Sequence, residues 1–120
     1  MFADVLFACV PVSDLQASLE WYALLFGRPH DITVNDDEVM WQVAETGWLY
    51  ILSDPDRAGG TVVSLAVTDL ASTLSGMLSR GLDGAPVEEV EGGAGWKAKL
   101  TDPDGNQVAL IEVRQSGPGV

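Results

Sequence analysis

Several things are scarce in this 120-residue chain, and each scarcity narrows what it can be. A single cysteine, Cys9, cannot form an internal disulfide, which fits a reducing cytoplasm. One histidine, His30, leaves little imidazole for a metal site or a proton shuttle. Six basic residues stand against 18 acidic ones, a formal charge of −12. That balance argues against nucleic acid as a partner, because phosphates need a basic surface. No apolar run approaches the roughly 20 residues that span a bilayer, so no membrane partner is expected. The opening MFADVLF carries an acid instead of a basic n-region, and its apolar stretch stops at Pro11-Val12-Ser13-Asp14. A cleaved signal is therefore not expected. Gly92-Gly93-Ala94-Gly95 precedes a strand pattern and lacks the following Lys of a phosphate-binding loop.

What is present is a repeat. VPVSDLQASL at 10–19 returns as LAVTDLASTL at 65–74, an offset of 55 residues. Val12 matches Val67, Asp14 matches Asp69, Leu15 matches Leu70 and Leu19 matches Leu74, and further on Trp41 meets Trp96. Such self-similarity means two copies of one supersecondary unit, each too small to bury its apolar face alone. At 47% apolar residues the chain has material for one core.

Both copies read in the same order. A short apolar strand (5–12, then 61–67) leads into a helix start. Ser13 is placed at the first N-cap, with Gln16 at capping-box spacing, and Thr68-Asp69 supplies the second cap. Apolar residues recur at helical spacing through Leu15, Leu19, Tyr22 and Phe26, and again through Leu70, Leu74, Met77 and Leu78; Gly27 and Gly81 stop the helices. Strands follow at 30–34, 39–44 and 48–52, and at 85–91, 96–101 and 107–113. Ser53–Gly60 links the copies, Asp102-Pro103-Asp104-Gly105-Asn106 makes a tight turn, and Gln115–Val120 is expected to fray.

The pieces V-S-D-L-x-x-S-L-x-W-Y-x-x-L-F-G at 12–27 and D-P-D-G-N-x-V at 102–108, on this duplicated frame, resemble the vicinal oxygen chelate superfamily. That group is also described as glyoxalase/bleomycin resistance protein/dioxygenase. The resemblance implies an α+β fold of two βαβββ modules, 1–53 and 61–114 with linker 54–60, forming a curved mixed sheet around a cavity in a single domain over 1–120. It also implies a homodimer. Metal-using members carry His and Glu on the first and last strand of each module. Carried onto this sequence, those positions are Phe7, Tyr50, Val62 and Ala109, which make a poor metal site. No metal, no cofactor and no catalytic residue are expected.

Period-two alternation groups Phe7 with Cys9, Trp48 with Tyr50, Val62 with Ser64, and Gln107 with Ala109. If the four former ligand positions face a cavity, its wall is mostly apolar and suits an organic ligand. Trp41, Trp48 and Trp96 offer flat faces for stacking, although each also suits a small protein's core. The leading expectation is a metal-free binding protein that encloses a small organic molecule, cationic by the net charge and heteroaromatic by the tryptophans, in the manner of antibiotic sequestration. The alternatives are an enzyme of the same fold, with an unrecognised metal site or acid–base chemistry through Tyr50, Glu112 or His30, and a regulatory or carrier role.

Overall fold

A computed structural model describes residues 1–83 and 86–114. The first module runs β1 (Leu6–Val12), α1 (Leu15–Phe26), β2 (Ile32–Asn35), β3 (Glu38–Ala44) and β4 (Gly47–Ser53). The second runs β5 (Val62–Ala66), α2 (Leu70–Ser79), β6 (Glu88–Glu89), β7 (Gly95–Thr101) and β8 (Gln107–Val113), with a 3-10 turn at Glu91–Gly93. The first strand of each module pairs parallel with its last, and the other pairs are antiparallel. The strands form two four-stranded sheets of matching order, β1-β4-β3-β2 and β5-β8-β7-β6. The duplication read from the sequence is thus an α+β fold of two βαβββ modules. The strand expected over 85–91 shrinks to two residues, with Ala85 outside the described residues, as is the tail from Gln115.

The first helix start differs by one residue from expectation, while the second falls on Asp69 of the expected Thr68-Asp69 cap. Asp14 and Asp69 are the N-caps, accepting from Ala17 N and Ser72 N. Ser13 is drawn away because its backbone N–H and hydroxyl both donate to the Asp104 carboxylate of the other module. A carboxylate also suits the positive end of a helix. Gly27 closes α1 in the left-handed conformation at φ 74°, as its place in the sequence requires.

One core runs through both modules. It joins Val10, Val12, Tyr22, Leu25, Trp41, Leu49 and Ile51 of the first to Leu70, Met77, Leu100, Val108 and Leu110 of the second. Arg80, just past α2, donates to the carbonyls of Leu24 and Leu25 and satisfies the otherwise open end of α1.

The β7–β8 turn binds the modules together. Asn106 uses every hydrogen-bonding position of its carboxamide. Its Oδ1 accepts from Gly59 N (3.1 Å) and Thr61 N (3.0 Å), and its Nδ2 donates to Pro11 O and Asp102 Oδ2 (both 2.9 Å). Asp102 also accepts from Tyr22 Oη and from the backbone N–H groups of Asp104 and Asn106. Gly59 has φ +99°, and a Cβ there would lie 2.5 Å from Asp104 O, so this approach of linker to turn admits only glycine.

Two expectations follow. Asn106→Ala strands four partners in a dry site and lowers unfolding free energy by about 2–4 kcal/mol; urea denaturation matching the wild type would refute the clamp. Burial first, and then the Asp102 charge and hydrogen bond, hold the Tyr22 phenol above its ordinary value. The unfolded chain releases that proton above about pH 10 while the folded chain keeps it, so stability is full below that pH and falls as pH rises. Tyr22→Phe should flatten this alkaline decline in thermal melts, and an unchanged slope would contradict it.

Candidate functional site

Strand alternation gives each sheet two unlike sides. In the first sheet Ala8, Val10, Val12, Val39, Trp41, Leu49 and Ile51 face the helices and the shared core. Phe7, Cys9, Met40, Trp48, Tyr50 and Leu52 lie on the other side, which no element of the described chain covers. Phe7 remains 52% exposed while Val10 is 1% exposed. In the second sheet Val63, Leu65, Ala98, Leu100, Val108 and Leu110 face the core. Val62, Ser64, Lys97, Lys99, Thr101, Gln107, Ala109 and Ile111 occupy the other side, where Val62 is 64% exposed but Ala109 only 5%.

Eight sequence-selected residues therefore sit on two open faces as four rungs. Phe7 pairs with Trp48 and Cys9 with Tyr50, both between β1 and β4. Val62 pairs with Gln107 and Ser64 with Ala109, both between β5 and β8. The rungs are equivalent: Phe7 corresponds to Val62, Cys9 to Ser64, Trp48 to Gln107 and Tyr50 to Ala109. One face has become aromatic and the other small and polar. Because the opposite sides of both sheets feed one core, the two open faces point away from it and enclose no space together among the described residues.

The other two tryptophans sit elsewhere. Trp41 is fully buried on the helix-facing side, packed on Tyr22 and Phe26, with its Nε1 donating to Arg28 O. That leaves it no free face for a ligand. Trp96 also faces the helix side, under the Arg114 guanidinium at 4.8 Å, and lines a separate cavity of about 460 Å³ with Thr68, Glu112 and Arg114. Nor are Trp41 and Trp96 on equivalent rungs. The offset between modules rises from 55 on the first strand (Phe7 to Val62) to 59 on the last (Trp48 to Gln107), so the counterpart of Trp41 is Leu100. The repeat seen at 55 residues breaks after the helices.

The alternative acid–base residues are dispersed. Glu112 is on the helix side and accepts from Leu70 N at the start of α2. His30 stands edge-on to Trp41 and bonds the Thr33 hydroxyl. Tyr50 alone is on an open face, where the Cys9 thiol beside it, by hydrogen bonding and then by charge, holds the phenol above its ordinary value. A phenol displaced upward is a weak proton donor near neutral pH. At the exposed corner beside β3, the Gln42 backbone N–H, and then Arg28, hold Asp31 below the usual carboxylate value. The residues at the former metal-ligand positions do not fit a divalent ion: phenyl, phenol, isopropyl and methyl groups supply one oxygen donor between them. Among the described residues no three His, Cys, Asp or Glu side chains are arranged to hold a metal ion. Lys97 and Lys99 on the second open face went unremarked in the sequence, although the alternation of β7 around Leu100 would have placed them there.

The chain is 38% identical to a glyoxalase/bleomycin resistance protein from Catenulispora acidiphila, over 93% of this chain and all of that one, with a TM-score of 0.86. The chain belongs to the glyoxalase/bleomycin resistance protein family. A bleomycin-binding protein solved with bleomycin superimposes with a TM-score of 0.74 at 22% identity, covering 95% of this chain and all of that one. A lactoylglutathione lyase from Agrobacterium tumefaciens does so with a TM-score of 0.68 at 16% identity, over 90% and 92%. At such identities these two show the shared fold alone. No family model matches the sequence, and no match is found among curated proteins.

The two environments of tryptophan give a direct test. Trp41→Ala should cost about 3–5 kcal/mol by emptying the core, whereas Trp48→Ala should cost under about 1 kcal/mol in a single chain. Equal losses in chemical denaturation would contradict this placement.

Proposed function

We propose that the protein is a metal-free binding protein that encloses a small organic molecule against its open sheet faces. The observation that carries this reading is the first face itself. Phe7, Trp48, Tyr50 and Met40 form an apolar sheet surface without a covering layer, and two of them, Phe7 and Tyr50, stand where the family resemblance places metal donors. Monomeric proteins rarely leave such a surface bare. A second copy would bring the first face of one chain over the second face of the other, making a chamber with one aromatic wall and one polar wall. The homodimer is therefore part of the proposal. Ser64 and Gln107 supply the few polar contacts that orient a ligand in an otherwise apolar site. Trp48 offers the indole for stacking; Trp41 and Trp96 take no part on these faces.

The expectation of a cationic ligand rested on net charge alone, and the local charge of the faces gives it no support. Sequestration of an antibiotic remains the nearest biological role by likeness to the bleomycin-binding protein of the same fold. The competing reading is an enzyme, as the lactoylglutathione lyase of this fold is named. It would need donors that Phe7, Val62 and Ala109 lack.

Light scattering at micromolar concentration should give a dimer, and Phe7→Lys should yield a folded monomer by placing a charge in the interface. A wild-type monomer would overturn the enclosed chamber. After incubation with nickel, zinc, manganese and iron(II) and dialysis, mass spectrometry should find well under one ion per chain. About one retained ion would overturn the metal-free reading and favour the enzyme.

A further inference from the structure

The chain has only two lysines, Lys97 and Lys99, and both lie on the open face of the second sheet. They alternate with Ala98, which is buried on the core side, so both ammonium groups leave the sheet on the same side. Among the described residues neither makes an ion pair or a side-chain hydrogen bond, while Arg28, Arg57 and Arg114 are each paired with a carboxylate and Arg80 is spent on α1 carbonyls. Two carboxylates lie near them, Glu88 opposite Lys97 and Asp83 in a cavity that Lys99 also lines, but neither forms an ion pair with its lysine. Lys99 stands in one row with Ala109 and Ser64, and Lys97 in the next with Ile111 and Ala66. The strand residues of the two open faces hold just two of the 18 acidic residues. Glu88 is opposite Lys97 on the short edge strand, and Glu38 is opposite Leu52 in the other sheet. The row of Lys99 contains no acid.

In a chain with a net charge of −12, both lysine ammonium groups are thus held on one candidate wall. Lys99 is also the cross-strand partner of Ala109, a position where metal-using members of the fold keep a donor to a cation. A fixed positive charge there disfavours a metal and favours an anion. Ser64, Thr101 and Gln107 add donors that an oxyanion accepts from.

We propose that the site takes a flat organic anion. Its ring system lies on the Phe7, Trp48 and Tyr50 face, and its carboxylate, sulfonate or phosphate meets Lys99 and Lys97. The proposal rests on the open faces being ligand walls, and it names the charge of the ligand opposite to that suggested by the whole chain. Distant acidic residues count for little, since water and salt screen them beyond about 8 Å.

Two fluorescent probes with one skeleton separate the possibilities: anilinonaphthalene sulfonate and the uncharged phenylnaphthylamine. Wild-type protein should bind the sulfonate about tenfold more tightly, the factor expected for one charge-assisted hydrogen bond. The double substitution Lys97→Gln, Lys99→Gln should abolish that advantage and leave affinity for the uncharged probe unchanged. Lys97→Arg, Lys99→Arg should restore it, with thermal melts confirming that all variants fold. Equal affinity for the two probes, or a sulfonate preference that survives the Gln substitutions, would overturn the anion proposal while leaving the binding reading intact. A change of oligomeric state in the Gln variant would also overturn it, by assigning the lysines to partner acids. Failure of both probes to bind would overturn the binding reading together with this one.

Discussion

The buried Asp102–Asn106 pair is the constraint on which the arrangement of both modules depends. Two βαβββ units can each form a sheet, but neither carries enough apolar surface to exist alone. They become one body because a single turn side chain bonds β1 of one module, the linker, and the carboxylate of its own turn. Tyr22 adds the first helix to the same point. Buried polar groups are costly unless every partner is met, and here they are met across three separate stretches of chain. The D-P-D-G-N motif is therefore an inter-module clasp as well as a turn.

The clasp also explains where the open faces end up. Holding the end of β1 beside the β7–β8 turn directs the helix-facing sides of both sheets into one core. Their other sides are left outward as separate half-walls. The same duplication that makes the fold cheap to encode makes the two walls equivalent by geometry, yet free to diverge in chemistry. Phe7, Trp48 and Tyr50 on one face correspond to Val62, Gln107 and Ala109 on the other, so one face is aromatic and the other small and polar.

Charge shows why local placement outweighs composition. The net −12 is a property of the whole surface, whereas a ligand samples a few ångströms of it. Both lysines stand on one face, and three of the four arginines are neutralised beside carboxylates. The sum of charges therefore does not describe the charge of that face.

Much of the fold was legible in the sequence. The echo at 10–19 and 65–74, the caps near Asp14 and Asp69 and the glycine stops are local signals, and local signals survive into the fold because helix starts and strand alternation are short-range physics. Alternation likewise grouped Phe7 with Cys9 and Gln107 with Ala109 correctly by side. What the sequence left undecided were choices made by partners distant along the chain. Ser13 yields its capping role to Asp14 because Asp104, 91 residues away, claims its hydroxyl. Trp41 and Trp96 match by offset, but added residues after the second helix shift the later ladder, and both indoles turn to the helix side. Period-two reasoning states which residues share a face; only the packing of helices against the sheets decides which face is core and which is wall.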